Sequence, residues 1–178
     1  MTEHSTHLIS TAKPIITVSS VEYRDAMSHF ASAVNIVTTA GEKGTRGVTV
    51  SACCSLSDNP PTVLVCLARQ HEENRIFIEN EKFCVNTLAG HHKELSDIFA
   101  GREKLSQQQR FLHAKWNKLK TGSPVLDDAI VALDCQLTCW DVHATHYVLI
   151  GEVVAVKTHL GANALMYLDR SYYTLPLS

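Results

Sequence analysis

The order of apolar and polar residues between positions 47 and 61 predicts a β-strand with two different faces. One face would carry Val48, Val50, Ala52, Cys54 and Leu56, and the other Thr49, Ser51, Cys53, Ser55 and Ser57. A period of two is typical of a strand that buries one face, because successive side chains point to opposite sides. The second face is rich in hydroxyls, which can hold a phosphate together with backbone N–H groups. A strand surface that faces solvent shows the same pattern, so the alternation leaves both interpretations open.

The strand pattern recurs along most of the chain. Further strands are predicted at residues 34–40, 62–68, 82–88, 129–141 and 145–158, with two short strands around Asp169-Arg170. The run 62–68 is apolar at nearly every position, which predicts burial on both of its faces. The strands follow one another without a regular alternation with helices. This order favours a mainly β fold, an antiparallel barrel with a few helices covering its ends.

Helical spacing is confined to a few segments. Ser19 and Glu22 have the spacing of a capping box and predict the start of a helix. An apolar stripe follows it at Met27, Phe30, Ala31 and Val34. A helix is also predicted over 91–100, with Leu95, Ile98 and Phe99 inward and Gly101 as its stop. Shorter helical segments are expected at 71–80 and 107–111, the latter inside a stretch, 102–128, that is otherwise mostly loop. We expect an N-terminal arm at residues 1–18 and one folded domain at residues 19–178.

Composition and charge narrow the classes of function. The chain has 178 residues, 45% of them hydrophobic and 19% charged, and a net charge of −2 without a basic run. Nucleic acid is therefore not an expected partner. The apolar runs are shorter than the roughly 18–20 residues that span a bilayer, so no membrane partner is expected. The first residues lack a positive segment followed by an apolar block, and we expect a cytoplasmic protein whose six cysteines are reduced.

Two groups of residues could carry chemistry on local grounds. His146 is predicted to share a strand face with Val148, Ile150 and Glu152, where a histidine is either structural or a hydrogen-bond partner for a ligand. Cys135, Cys139 and His143 offer a possible metal site as an alternative, but the prediction is that the protein has no metal site. No GxGxxG segment follows a strand, so a Rossmann-type nucleotide site is absent from the pattern.

Several blocks in a fixed order give the chain a family resemblance. They are YRDAMSHFASAVNIVTT (23–39), GVTVSACCSLSDNPPTVLVCL (47–67), FCVNTLAG (83–90), DIFAG (97–101), RF (110–111), ATHYVLIGEV (144–153) and YLDRSYYTL (167–175). With these blocks the chain resembles the short flavin reductases of two-component flavin-dependent monooxygenases. That family includes the reductase components of 4-hydroxyphenylacetate 3-monooxygenases and reductases of pyrimidine degradation. The resemblance covers residues 22–175.

The resemblance implies an FMN-binding split β-barrel, a homodimer, and a set of site residues. Lining the flavin would be Val34, Asn35, Ile36, Val37, Thr38, Thr49, Val50 and Ser51, with Ser51, Ala52 and Ser55 towards its phosphate. Flanking the ring would be Asn86, Thr87 and Leu88, while Phe99 borders the nucleotide and Arg110 closes over the cofactor with Phe111. His146 matches the family's histidine on the nicotinamide side, with Tyr172 as its neighbour.

The activity that the resemblance implies is reduction of diffusible FMN or FAD by hydride transfer from NADH. The reduced flavin would serve the oxygenase component of a two-component monooxygenase that acts on a phenolic or other aromatic compound. In such a reaction the cofactors supply the chemistry and the protein supplies orientation and electrostatics. A flavin-binding redox sensor or flavin store on the same barrel is the alternative.

Two positions depart from the family pattern. Ala144 stands where the family commonly has glycine, and alanine tolerates a positive φ less well, so the chain before His146 could differ there. Val50 stands where the family often has alanine or cysteine. We expect Val50 to point inward, where the change would be harmless.

Overall fold

The structure, a computed structural model, describes residues 18–159 and 161–177. Its strands are β1 (Ser32–Ala33), β2 (Asn35–Gly41), β3 (Gly44–Val50), β4 (Cys53–Asp58), β5 (Pro61–Ala68), β6 (Lys82–Thr87), β7 (Trp116–Lys118), β8 (Pro124–Leu126), β9 (Val131–His143), β10 (His146–Thr158), β11 (Ala164–Leu168) and β12 (Ser171–Leu175). Its helices are α1 (Ser20–Ser28), α2 (Ile76–Glu79), α3 (Lys93–Phe99) and α4 (Gln107–Phe111), with 3-10 turns at Glu72–Arg75 and Gly90–His92. The prediction of a mainly β chain with a few helices is confirmed. The arm predicted for residues 1–18 lies outside the described residues except for Val18.

Seven antiparallel strands form one sheet in the order β3-β2-β6-β9-β10-β5-β4. The two edge strands, β3 and β4, are neighbours in the chain and only Ser51 and Ala52 separate them. The sheet therefore has to curl until its two edges approach each other, which makes a barrel that is split where β3 passes into β4. A second sheet, β1-β11-β12, and a hairpin of β7 and β8 lie beside it. The residues of that hairpin were predicted to be loop, and this prediction is wrong.

The prediction of one strand with two constant faces over residues 48–57, ended by residues 58–61, is wrong about the faces but right about the end, because β4 stops at Asp58. The strand breaks at Ser51 and Ala52, and the alternation does not continue across the break. Val50 and Cys53 both pack against the same core cluster, so Cys53 does not belong to the hydroxyl face. Leu56, expected on the apolar face, is 50% exposed. The break changes the register because the chain passes there from one edge of the sheet to the other.

The barrel interior is filled by alternate residues of the strands. Val63, Val65 and Leu67 of β5 are buried among them, while the residues between these three are half-buried. The predicted burial of residues 62–68 on both faces is thus correct for one face. Val50 also packs against this interior, and its predicted inward orientation is confirmed.

Helix α3 closes one side of the barrel and bears on β3. Leu95, Ile98 and Phe99 are buried as predicted, and Gly101 follows the helix with a φ of +79°. The ring of Phe99 lies directly on Gly47 of β3, where a Cβ would come within 2.4 Å of the ring. Gly47 also donates its N–H to Gln107 Oε1 of α4 at 3.0 Å, so helices cover the free edge of β3.

Helix α1 begins at the predicted capping box but does not bury its apolar stripe. The Glu22 N–H donates to the Ser19 hydroxyl, and the Ser19 N–H donates to the Glu22 carboxylate. Met27 and Phe30 are 42% and 66% exposed. Only Val34, at the end of the predicted stripe, is buried. The described chain therefore leaves apolar side chains exposed at the end of α1 and just after it. None of the helices in the described residues has the length and apolar character needed to cross a membrane.

Two tight turns use residues with positive φ. His143 pairs with His146, so Ala144 and Thr145 alone connect β9 to β10. Ala144 has a φ of +48° and Thr145 does not have a positive φ, as in a type II′ turn, whose first central position favours glycine. The expectation that Ala144 occupies a position suited to glycine is confirmed. The turn between β11 and β12 has positive φ at both Asp169 and Arg170.

Candidate functional site

Two adjoining cavities lie at the end of β3, where the barrel is split. Both are lined by Thr49, Val50, Ser51 and Ala100. The first, of about 190 Å³, is completed by Val34, Arg102, Tyr167 and Tyr172. The second, of about 280 Å³, continues past Ala52 to Ala68, His71 and His146. Because they share one wall, the two cavities form a single groove, here called the β3 groove.

The first end of the β3 groove carries a hydrogen-bonded tyrosine and a cation. The Tyr172 hydroxyl donates to Asp97 Oδ1 at 2.9 Å and lies 2.9 Å from Ser96 Oγ. Partial burial raises the pKa of Tyr172, which keeps the hydroxyl protonated. Arg102 Nη1 lies 2.9 Å from the same Asp97 oxygen, and its guanidinium lies 5.8 Å from the centre of the Tyr172 ring. Asp97 therefore holds both groups at the groove wall.

The hydroxyls predicted on β3 have different surroundings. Thr49 Oγ1 donates to the Ser96 carbonyl oxygen of α3 at 2.7 Å, so its proton is already engaged. Ser51 is exposed, and with Ala52 it lies between the ladders of β3 and β4. The hydroxyl and the backbone N–H of Ser51 are thus placed to donate to a ligand in the groove.

The second end of the β3 groove is formed by the start of β10 and the end of β5. His146 is exposed and pairs with Ala68 across the ladder. Its Nδ1 lies 2.9 Å from Thr145 Oγ1, which fixes one side of the ring. Within the described part of the chain Nε2 has no hydrogen-bond partner, so this nitrogen is available to a ligand.

Several residues predicted to line the flavin do not reach this groove with their side chains. These are Ile36, Val37, Thr38, Asn86, Leu88 and Phe99, each at most 1% exposed. The amide of Asn86, for example, donates to the Ile36 carbonyl and accepts the Leu126 N–H at 2.8 Å. Such side chains support the groove from behind.

Four other predicted residues lie apart from the β3 groove. Asn35, Ser55 and Thr87 line a cleft between β4 and the strands β2 and β6. Arg110 donates through Nε to the Leu105 carbonyl at 3.1 Å and approaches the Phe99 carbonyl, so it supports the turn after α3. Of the predicted set, the groove unites Val34, Thr49, Val50, Ser51, Ala52, His146 and Tyr172.

Sequence reasoning missed Arg102 and Tyr167 of the groove wall. Arg102 directly follows Gly101, the predicted helix stop, and a cation just after such a stop was the available signal. Tyr167 lies in β11, and its ring packs edge to face with that of Tyr172 at 5.2 Å. Nothing in the local pattern distinguished it from an ordinary strand residue.

The metal alternative on Cys135, Cys139 and His143 finds no support. Cys135 is buried in the barrel interior, where burial raises the pKa of its thiol. Among the described residues the group with metal-ligand spacing is instead His91, His92 and Asp128.

The geometry of His92 explains that second group as structural. His92 Nδ1 accepts the Ala89 N–H at 3.0 Å, so the proton of the neutral ring sits on Nε2 and points to Asp128 Oδ1 at 3.0 Å. A nitrogen that carries a proton cannot ligate a metal, and the cluster is a hydrogen-bonded support for the start of α3.

A family model, a curated protein and a solved structure that are similar to this chain are all those of flavin reductases. The family described as "Flavin reductase like domain" matches residues 27–176. A protein of Pseudomonas syringae pv. syringae (strain B728a), named FMN reductase (NADH) RutF, is 47% identical over 163 residues, which are 92% of this chain and 90% of that protein. A solved structure from Haemophilus somnus 129PT, assigned as a flavin reductase, is 43% identical with a TM-score of 0.85 and covers 89% of this chain and 100% of its own.

A more distant solved structure has the same fold. It is BorF, the flavin reductase component of a bacterial two-component tryptophan halogenase, which is 25% identical with a TM-score of 0.82. The alignment covers 90% of this chain and 100% of BorF.

Proposed function

Since the chain belongs to the flavin reductase like domain family, we propose that it transfers a hydride from NADH to FMN and releases the reduced flavin to a separate oxygenase. The resemblance inferred from the sequence blocks and the split barrel fold are both confirmed. The chain is an enzyme, a flavin reductase whose substrates are flavin and NADH.

The residues of the β3 groove fit a flavin. Val50 and the rings of Tyr167 and Tyr172 offer apolar surface for a flat ring, while Ser51 and Arg102 offer donors for a phosphate. His146 stands at the far end. This union of an apolar wall, a phosphate-binding end and a histidine at the split of the barrel is the observation that carries the proposal.

The catalytic contribution of the chain is positioning. Bound flavin supplies the hydride acceptor, and NADH supplies the hydride. Val34 and Val50 exclude water from one side of the groove, and the exposed Ser51 and Arg102 hold the phosphate end. His146 orients the nicotinamide end through the ring nitrogen that does not face Thr145. No side chain in this set forms a covalent bond with the substrates.

The groove is open to solvent, which suits release of the product. Arg102 is 57% exposed at its side chain and is paired with Asp97, so its hold on a phosphate is weakened by the neighbouring carboxylate. A wall of exposed donors without a buried guanidinium favours a flavin that exchanges. We propose on this ground that FMN is a diffusible substrate.

We also propose that the enzyme is a homodimer. Val21, Tyr23 and Met27 of α1 and Phe30 just after it are exposed apolar residues, and a second copy of the chain is the simplest partner for them. The cytoplasm is the proposed location, because all six cysteines are free thiols. The partner oxygenase is proposed to act on a phenolic or other aromatic compound, as the resemblance to reductases of two-component monooxygenases suggests.

Oxidation of NADH by the purified protein, with and without added FMN, tests the proposal. We expect the absorbance of NADH to fall only when FMN is present, and reduced FMN to accumulate when oxygen is removed. An oxygenase added in a separate dialysis compartment should still receive reduced flavin. A protein that keeps FMN through dialysis and leaves NADH unchanged would instead be the flavin store or sensor.

A further inference from the structure

A second and wider cleft opens on the other side of His146 and carries three arginines. Arg24 comes from α1, Arg69 and Arg75 come from the segment after β5, and His146 comes from the start of β10. The cleft has a volume of about 1030 Å³ and is here called the arginine cleft. Sequence analysis did not bring these arginines together, because they lie on three elements that only the fold makes neighbours.

Arg69 is fixed in place by the turn that precedes His146. Its Nη1 donates to the Ala144 carbonyl oxygen at 3.1 Å, and its backbone N–H donates to the Thr145 carbonyl oxygen at 2.9 Å. Its guanidinium also lies 5.7 Å from the centre of the Tyr147 ring. One contact of Nη1 occupies only part of a group with five N–H donors, so the remaining donors can face the cleft.

The charge of the arginine cleft favours an anion. Glu72 is the carboxylate among its lining residues, against Arg24, Arg69 and Arg75. Arg75 pairs through Nε with Glu79 at 3.2 Å, which leaves its terminal nitrogens available. Planar guanidinium groups match phosphate oxygens in geometry and charge. Most of the residues that line the cleft are charged or polar, which suits a phosphate group rather than an apolar ring.

The arginine cleft is continuous with the β3 groove. His146 and Ala68 line both, so a molecule that enters the groove from this side passes His146 with its remainder in the cleft. We infer that the arginine cleft binds the diphosphate of NADH while the nicotinamide end reaches past His146 into the β3 groove. This inference rests on the proposed function and names the residues that hold the hydride donor.

The flavin is the other molecule with a phosphate, and its place is the opposite end. Arg102 lines only the first end of the groove, Ser51 lies in the wall that its two cavities share, and neither residue lines the arginine cleft. When FMN is the acceptor, the diphosphate belongs to NADH alone. The Arg102 end is therefore assigned to FMN and the arginine cleft to NADH, and substitutions can test each site separately.

Two variants test the cleft, Arg69→Gln and Arg75→Gln, with Lys118→Gln on β7 as a control that removes one positive charge elsewhere. The dissociation constant of NADH is measured by its fluorescence with the flavin-free protein, and KM for NADH with FMN as acceptor. Loss of one guanidinium contact should raise both by roughly 10-fold. We expect both arginine variants to keep kcat and KM for FMN within about twofold of the original values. The Lys118 variant should keep its Kd and KM for NADH within the same range, because Lys118 does not line the cleft.

A donor without phosphate separates binding from general damage. The hydride donor 1-benzyl-1,4-dihydronicotinamide should be oxidised equally by both variants and the original enzyme. Arg69 bonds the turn at Ala144, so the Arg69 variant could also move His146. The bond recorded for Arg75 is with Glu79 and not with this turn, so the Arg75 variant tests the cleft without that complication. Added salt should weaken NADH binding by the original enzyme more than by the variants.

Other outcomes would overturn the inference. Unchanged NADH binding in both variants would do so, as would a rise in KM for FMN in place of NADH or an equal loss with the phosphate-free donor. If the protein binds NADH through these arginines but reduces no flavin, the proposed function fails and the assignment of the cleft stands.

Discussion

Thr49 Oγ1 donates a hydrogen bond of 2.7 Å to the carbonyl oxygen of Ser96, which joins β3 to α3 beside the groove. The hydroxyl that the strand pattern marked for phosphate binding is therefore engaged within the protein. Its neighbour Ser51 is exposed and free to turn towards a ligand. The two hydroxyls, equivalent in the sequence pattern, have different roles in the fold.

This difference predicts opposite results for two substitutions. Thr49→Val should lower the free energy of unfolding by about 1 kcal/mol, because one hydrogen bond is lost. It should leave KM for FMN within about twofold of the original value, since Thr49 donates to Ser96 and not to the ligand. Ser51→Ala should raise KM for FMN by roughly fivefold, the effect of a net hydrogen bond of about 1 kcal/mol, and leave stability nearly unchanged. Denaturant unfolding and steady-state kinetics measure both, and a reversed pattern would show that Thr49 contacts the flavin.

Arg102 and Asp97 should affect FMN binding in opposite directions. Arg102→Gln removes the cation at the first end of the groove and should raise KM for FMN by roughly 10-fold. Asp97→Asn keeps a hydrogen-bond acceptor for Tyr172 but removes the charge that neutralises Arg102, so KM for FMN should fall or stay constant. A rise of equal size in both variants would assign them a purely structural role.

His146→Ala should mainly weaken NADH binding. The variant loses the ring nitrogen that faces the ligand, so we expect KM for NADH to rise by roughly 10-fold and kcat to fall only moderately. FMN binding should not change, because Ser51 and Arg102 are intact. His143→Ala is the matched control, since His143 pairs with His146 across the ladder and is also exposed. Unaltered NADH kinetics in the His146 variant would remove it from the site.

Stability should decrease on mild acidification because of His92. Burial lowers the pKa of His92 below its ordinary value of 6.5, although Asp128 opposes this shift. Well above pH 6.5 the ring is neutral in both the folded and the unfolded state, and its contribution to stability is complete. As the pH falls below 6.5 the unfolded chain takes up a proton that the folded chain resists, so the free energy of unfolding falls until the folded pKa is passed.

The test of this pH dependence is denaturant unfolding across that range. His92→Gln removes the titrating ring and should give a flatter profile, with lower stability at neutral pH because the Ala89 and Asp128 contacts are lost. His113→Gln, an exposed histidine, should keep the original slope. If the His92 variant retains the full slope, another group is responsible.

The exposed apolar residues of α1 and the segment just after it predict the effect of a single charge on assembly. Phe30 is 66% exposed in the described chain, so Phe30→Glu should not disturb the barrel but should break a dimer formed through α1. Sedimentation should show a shift from dimer to monomer, with unchanged circular dichroism. Leu112→Glu is a control at a residue that is 83% exposed away from α1 and should leave the dimer intact. A dimer that survives the Phe30 change would place the interface elsewhere.

The elements with strong local signals could be predicted from the sequence, while the break in the longest pattern could not. The capping box at Ser19 and the inward face of α3 depend on neighbours within one turn, and both are present. The alternation through residues 48–57 is continuous, yet the chain changes sheet edge at Ser51, which depends on strands far away in the sequence.

The candidate site was predicted in part for the same reason. Thr49, Ser51 and His146 were found by pattern and by family resemblance, and the fold brings them to one groove. Asn86 and Leu88 lie in a block that resembles the family, but pattern alone does not show that their side chains face the core. Arg69 and Arg75 belong to no recognisable motif, and only tertiary structure makes them neighbours of His146.

The junction between β3 and β4 at Ser51 and Ala52 is stabilised by contacts within the protein, to which a bound substrate would add contacts of its own. A substrate bound at Ser51, as proposed above, would lie at the junction where β3 passes into β4. An enzyme that must let its product go cannot depend on that product for its shape. The contacts between α3 and β3, which join Phe99 to Gly47 and Ser96 to Thr49, hold β3 in place both when a substrate is bound and after the product has left.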